Sequence, residues 1–400
     1  MKIYLQLLQE EPVLKRLSLV QLISYFGAWF SNVAIYTLLI ELNVAPTVIA
    51  FVAMLNFLAG VLQAPFSGPV IDRFHAKKLM LFLIIVEIFS TAALTLVGSL
   101  SDLYLLYWLI FVKMAAASFY FTTEMSLLPK ILDGQKLQKA NELHSIIWSL
   151  SYTLGMAISG FVVYLLGIKV AFLLDALMFV IAFFLLYGLD FKDDIIHTKE
   201  KFFVLMRDTF SYFRSHPKAL HLMLLHSFVG LTAFDALVAL MVDRYYASFF
   251  AASLALGLLH SARAIGLVIG PVVLGKWVNN RHLFYILLSQ GIAIWLWAYV
   301  MEYFLLSVFA SIIVGFFTTT LWSYSYTLLQ KNIDREYYGR IVAYNDMLFL
   351  SMAATTSYMT GYLSEHDFSL SNIAFFMGLG FIIAAIYYTY ILKSEKIDDI

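Results

Sequence analysis

Apolar residues run through this chain in stretches of about 20, the length of helix that crosses a bilayer core. Each stretch ends at charge, proline or glycine. Parsed at those breaks, the pattern predicts twelve membrane-spanning helices with cores at 17–42, 47–71, 79–100, 103–128, 140–166 and 170–189, then 220–242, 251–278, 283–301, 303–329, 341–363 and 372–392. The longest polar interval separates the sixth core from the seventh. Inside it Phe202, Met206, Phe210 and Phe213 recur at helical spacing, with Lys201, Arg207, Asp208 and Arg214 on other faces. This reads as an amphipathic helix on the inner membrane surface, with an irregular tether as the alternative. The predicted organisation is an N-terminal six-helix bundle at 1–189, a cytoplasmic linker at 190–216 and a C-terminal six-helix bundle at 217–400.

Composition agrees with the pattern. Of 400 residues, 62% are hydrophobic and 13% charged, too little polar surface to cover a water-soluble globule. Mean hydropathy is +0.83. The net charge of zero points away from an electrostatic nucleic-acid binder. With no cysteine, disulfides, thiolate metal sites and cysteine nucleophiles are excluded. All but four of the 26 basic residues fall on alternate segments beginning with the N-terminus; the exceptions are Lys113, Lys169, Arg244 and Arg263. Positive charge is retained on the cytoplasmic side. Both termini are therefore expected to be cytoplasmic, which suits an even number of spans. The first span follows Lys15 and Arg16 without a small-residue cleavage pattern, so it reads as retained rather than as a removable signal peptide.

The two halves repeat one another. "GPVIDRFHAKKLMLFLI", beginning at Gly68, finds a counterpart about 200 positions later in "GPVVLGKWVNNRHLFYI", beginning at Gly270. "LLPKILD", from Leu127, matches "LLQKNID", from Leu328, at nearly the same offset. Both pairs lie on cytoplasmic loops. A parallel repeat of six-helix halves is the arrangement used for alternating access to a site near the bilayer midplane.

"GPVIDRFHAKK" resembles the loop signature between the second and third helices of the major facilitator superfamily. Gly68, Asp72, Arg73, Lys77 and Lys78 match it, and His75 stands where the family has a second glycine. "LLPKILDGQKLQKANELHSIIWSLSYTLGMAISG" (127–160), "YFRSHPKAL" (212–220) and "REYYGRIVAYN" (335–345) are similar to the bacterial branch of enterobactin-exporter-like and macrolide-efflux-like proteins. The resemblance implies an all-α integral membrane protein of twelve transmembrane helices, arranged as two pseudo-symmetric six-helix bundles. It also implies a conformational latch. Gly68 and Pro69 end or bend the second span, and Asp72 faces the N-terminal end of the eleventh near Arg340. Arg73 pairs with Glu124 at the cytoplasmic end of the fourth, and Asp346 joins the same network. The alternative is that these charges only fix topology and solvate a turn.

Charges inside spans cost several kcal/mol unless they face a cavity or a partner. Lys113, in "LIFVKMAAA", occupies the position where proton-coupled exporters of the family carry arginine. Asp235 and Arg263 fall on the seventh and eighth spans, which line the cavity in this fold. These three are the expected substrate- or proton-binding residues, with cargo or Asp235 compensating the two cations. Glu87 and Asp175, on spans that are mostly peripheral in the superfamily, read as structural pairing. His144, His226 and His260 match no metal-ligand spacing and read as hydrogen-bonded packing residues. "LGMAISG", with Gly155 and Gly160, resembles the exporters' glycine-rich antiporter pattern without its proline; ordinary helix packing is the alternative.

No nucleotide-binding loop, nucleophile elbow or metalloprotease motif is present in the sequence. Energy is thus expected from ion or substrate gradients rather than hydrolysis, with no enzymatic activity and no cofactor. The expected function is proton-coupled efflux of a small amphipathic or anionic molecule by a monomer in the bacterial inner membrane. Protons and membrane lipids are the other expected partners. The alternatives are proton-coupled uptake of a small metabolite and a membrane sensor that transports nothing.

Overall fold

The structure is a computed structural model that describes residues 2–71, 73–132, 134–189, 211–275, 277–334, 337–394 and 397. Among them there is no strand. Most of the expected surface helix, including Phe202, Met206 and Phe210, lies outside the described residues.

A short α1 (Lys2–Glu10) precedes the first span, α2 (Pro12–Glu41). Then come α3 (Pro46–Ile71), α4 (Ala76–Ala93), α5 (Leu103–Ile131), α6 (Gly134–Leu166) and α7 (Ile168–Tyr187). The seventh span is broken into α8 (Pro217–Ser227), a 3₁₀ turn (Phe228–Thr232), α9 (Asp235–Met241) and a π turn (Val242–Tyr246). The remaining spans are α10 (Ala252–Leu274), α11 (Asn280–Val300), α12 (Phe304–Lys331), α13 (Tyr338–Glu365) and α14 (Leu370–Ser394). Eleven of the twelve spans are long and apolar enough to cross a membrane. The exception is α13, whose 28 residues would suffice in length but include Arg340, Asn345, Asp346 and a run of hydroxylated side chains.

Local chemistry starts and stops these helices. Pro12 and Pro217 occupy first-turn positions, where a missing N–H costs nothing. The Asn279 side chain accepts from the backbone of Arg281 and His282 to open α11. Asn43 and Asp367 take left-handed backbone after α2 and α13, and Gly167 (φ 86°) separates α6 from α7. The helix α3 ends at Ile71, two residues past Pro69 and at the expected limit of the second core, whereas α6 begins six residues earlier than its apolar core. A helix carries its charged ends past the hydrocarbon because interfacial water solvates them.

The chain divides into two compact units that are not its consecutive halves. Unit 1 comprises Met1–Asn43, Pro65–Thr198 and Ala251–Ser261; unit 2 comprises Val44–Ala64, Lys199–Phe250 and Ala262–Ile400. In unit 1, Leu17, Val20, Met80, Ile84, Tyr120 and Phe179 bury themselves among α2, α4, α5 and α7. A second cluster ties α1 down, with Leu7 packed beside Leu14, Leu128, Leu132 and Ala140. Lys136 clamps the same corner, 3.4 Å from Glu10 and 2.6 Å from Glu11. In unit 2, Trp297 donates to Ser307 at 2.8 Å and packs edge-on to Phe234, while Tyr388 donates to the Asn280 carbonyl.

Within unit 1, α6 and the first turns of α10 meet backbone to backbone. A Cβ at Gly160 would lie 2.8 Å from the Ser253 carbonyl oxygen, and one at Gly257 would lie 2.7 Å from that of Met156. Neither neighbour can swing away, being main chain. Gly257→Val should therefore cost about 1–3 kcal/mol by overpacking, read as a lower midpoint in thermal unfolding of detergent-purified protein. Gly98→Ala, where nothing lies within 4 Å, should leave the midpoint unchanged.

Candidate functional site

The interior of unit 1 holds a buried ion pair. Lys113 of α5 places Nζ 2.5 Å from Oδ2 of Asp175 on α7, with the two residues 6% and 0% exposed. Ser31 of α2 donates to the same carboxylate oxygen, so three helices meet at one group. The ammonium also lies 5.6 Å from the centroid of Phe179. Glu87 of α4, 4% exposed, is within electrostatic reach of both charges. The compensation of Lys113 is thus a correction to the expectation of cargo or Asp235: Asp175, on a span read as peripheral, supplies the anion.

Arg263 belongs to unit 2 and meets the break in the seventh span. Its Nη2 donates to the Thr232 carbonyl at 2.8 Å, and its guanidinium lies 4.9 Å from the Phe234 ring centroid. Where the 3₁₀ turn gives way to α9 the helical ladder is interrupted, and the Thr232 carbonyl accepts from both the Phe234 N–H, at 2.9 Å, and this planar multi-donor cation. Asp235, half-buried, opens α9 in its first turn, where a carboxylate complements the free N–H groups. The break also lies close against α13: a Cβ at Gly230 would stand 2.8 Å from the Ala353 nitrogen.

Of the expected latch, Asp72 lies outside the described residues. Gly68 is in the last turns of α3, Arg73 and Lys78 are exposed, and Lys77 places Nζ 5.9 Å from the Tyr187 ring centroid. Glu124 is 2% exposed with its Oε2 unpartnered, and no ion pair joins it to Arg73 among the described residues. Arg340 stacks over Tyr337 at 5.0 Å with a buried Nη1 that has no acceptor, and Asp346 accepts from Asn345 at 3.4 Å. Gly155 packs under the Trp29 ring, and Gly160 faces Gly257.

One feature escaped the sequence reading. Gln21, Tyr25 and Trp29 recur every fourth residue on α2, as do His144, Trp148 and Tyr152 on α6. The two stripes interlock. Gln21 hydrogen-bonds the His144 ring, Tyr25 lies edge-on to it, and Trp29 packs on Trp148 and on Tyr152, the latter with centroids 4.5 Å apart. Tyr152 continues to His260 at 3.2 Å. The i, i+4, i+8 spacing was the available signal, masked by the abundance of aromatics elsewhere. His226, fully buried, is hydrogen-bonded to Ser325 at 2.8 Å. Among the described residues no group of histidines and acids is placed to hold a metal.

These features belong to a protein of known class. The family description of the Major Facilitator Superfamily matches residues 17–354, and the chain belongs to that superfamily. An uncharacterized MFS-type transporter of Bacillus subtilis (strain 168), YkuC, is 28% identical over 154 residues, covering 38% of this chain and 33% of that protein. The alignment therefore spans about a third of the relative's length. Among solved structures, the nucleoside transporter NupG superposes with a TM-score of 0.72 at 13% identity, covering 96% of this chain and 100% of that one. A bacterial homolog to the human lysosomal transporter Spinster, inward-facing and occupied, gives 0.73 at 12% identity over 96% and 97%. At such identities the likeness is one of fold. The chain is a multi-pass membrane protein of a transporter family.

Removing the guanidinium tests the role of Arg263 at the break. Arg263→Ala should remove one of the two donors to the Thr232 carbonyl, the Phe234 N–H at 2.9 Å remaining, and cost about 1–3 kcal/mol, as for hydrogen bonds to charged groups, lowering the thermal midpoint in detergent. Arg263→Lys, which keeps a donor and loses the fork, should recover part of that loss.

Proposed function

We propose that this protein is a secondary active transporter working by alternating access, which exports a small amphipathic or anionic molecule from a bacterial cell in exchange for protons. Membership of a transporter superfamily supports transport. The observation that carries proton coupling is the burial of Glu87, Lys113 and Asp175 inside one bundle. Ionisable side chains at that depth are expensive to keep and are the usual stations for protons. A charge moving down the membrane potential is worth about 2.3 kcal/mol per 100 mV, and no nucleotide-hydrolysing motif offers a competing source. Efflux rests on the similarity of 127–160 and 335–345 to the exporter branch. The interlocked stripes of α2 and α6 favour a cargo with an aromatic or planar apolar part, because stacked rings offer large contact area at little entropic cost.

The cytoplasmic surface carries the conformational control in this reading. Asp72 facing the N-terminal end of the eleventh span near Arg340, and Arg73 paired with Glu124, stabilise one conformer, with Asp346 in the same network, and their separation permits the other. Both termini and the linker face the cytoplasm, and a single copy suffices.

Purified protein in liposomes with an entrapped pH-sensitive dye tests the proposal against a panel of amphipathic cations, catecholates and nucleosides. A cargo added on one side should drive protons to that same side by exchange. Cargo and protons moving together indicate uptake, and cargo flux without proton movement overturns proton coupling. Asp72→Asn should lower the transport rate about tenfold or more at unchanged membrane abundance. Near-normal rates in that variant reduce the loop to a topology signal.

A further inference from the structure

Proton coupling requires a buried group that holds a proton and can hand it on, and the interior of unit 1 contains two acids around one base. We propose that Glu87, Lys113 and Asp175 form a lysine toggle with one exchangeable proton: the Lys113 ammonium pairs alternately with Asp175 and Glu87, and the proton resides on whichever carboxyl the lysine has left. The inference deepens the reading of proton coupling and rests on it.

Charge counting leads to this arrangement. The three residues lie on α5, α7 and α4 and are at most 6% exposed. With both carboxyls ionised the cluster carries one uncompensated negative charge in a low-dielectric interior; with one proton it is neutral. Two neutral arrangements exist. In one, Lys113 holds Asp175 at 2.5 Å, as the structure shows, and the toggle assigns the proton to Glu87. In the other, the Glu87 O–H bond breaks, an O–H bond forms on Asp175, and the ammonium moves to the Glu87 carboxylate. Lysine keeps all its protons throughout, and net charge is unchanged.

The surroundings of Asp175 fit a second proton position. Its Oδ2 is occupied by Lys113 and Ser31, whereas its Oδ1 is buried and has no hydrogen-bond partner. That oxygen is free to take the proton. Gly27 of α2 leaves it room, since a Cβ there would stand 2.8 Å from Oδ1. The Ser31 contact makes α2 register any change at the carboxylate. The other titratable groups facing this interior are Tyr25 on α2 and Tyr120 and Glu124 on α5. Glu124 is eleven residues along α5 from Lys113, about 16 Å of helix, and stands outside the pair.

Infrared spectroscopy of the full-length protein in lipid vesicles, which needs no cargo, reads the toggle directly through the neutral carboxyl band. Wild type should show a band that Glu87→Gln removes. In Asp175→Asn, Lys113 should pair with Glu87, so the same band should disappear and a carboxylate band should replace it. Asp175→Glu should retain the neutral band. Persistence of the Glu87 band in Asp175→Asn overturns the toggle, because Glu87 is then indifferent to the lysine. An Asp175→Asn protein that cannot be purified folded overturns it too, since the toggle supplies Lys113 with a second anion. Absence of proton movement in the wild-type liposome assay sinks proton coupling instead, whatever the spectra show.

Discussion

A charge inside a membrane bundle has to be met by protein, because hydrocarbon offers it nothing. The Lys113–Asp175 pair meets that constraint, and much of unit 1 is arranged around it. The lysine comes from α5, the carboxylate from α7 and an additional donor from Ser31 of α2. Phe179 closes over the ammonium, and the apolar cluster of Leu17, Val20, Ile84 and Tyr120 surrounds the helices that carry the pair. Losing Lys113 would leave the buried Asp175 without its cation, a change that typically costs about 3–5 kcal/mol, whereas on the proposed toggle Glu87 answers the loss of Asp175. The pair thus fixes how three helices pack as well as what the interior can titrate.

Among the described residues, unit 2 meets the same problem at Arg263 without a counter-ion. Arg263 gives Nη2 to a main-chain carbonyl and its flat face to Phe234, while its Nε is buried without an acceptor. A break in the seventh span makes this possible: an unbroken helix would have kept the Thr232 carbonyl for itself. Close contact between Gly230 and α13 holds the break in place. Non-helical backbone at this depth is tolerated when protein satisfies it.

The spans were legible because bilayer thickness imposes a length on apolar runs that no other environment imposes, and the repeat was legible because charged loops stand out in an apolar chain. The buried contacts were not. Lys113 and Asp175 are 62 residues apart, and hydrophobicity says nothing about which faces of α5 and α7 meet. Asp175 was read as peripheral by its span number, yet a span on the rim of a bundle still turns one face inward. The break at 228–234 carries no proline, and its apolar residues suit a continuous helix equally well. The α2 and α6 stripes were available in the sequence as fourfold recurrences. What concealed them was composition, with 17% aromatics spread over every span.

The two intramembrane cations therefore differ in what they can respond to. A lysine bound to a carboxylate loses its partner when that carboxylate gains a proton, so a proton can redirect it. An arginine bound to a peptide carbonyl has no such lever, since the carbonyl keeps its lone pairs whatever the proton supply. Arg263 is suited to holding backbone or an anionic cargo, and Lys113 to reporting protonation. If both halves descend from one six-helix ancestor, as the matching loops imply, the halves have diverged in the chemistry of their interiors while keeping the loops alike. On the proposed reading, proton sensitivity lies where an acid, rather than a main-chain dipole, answers the buried cation.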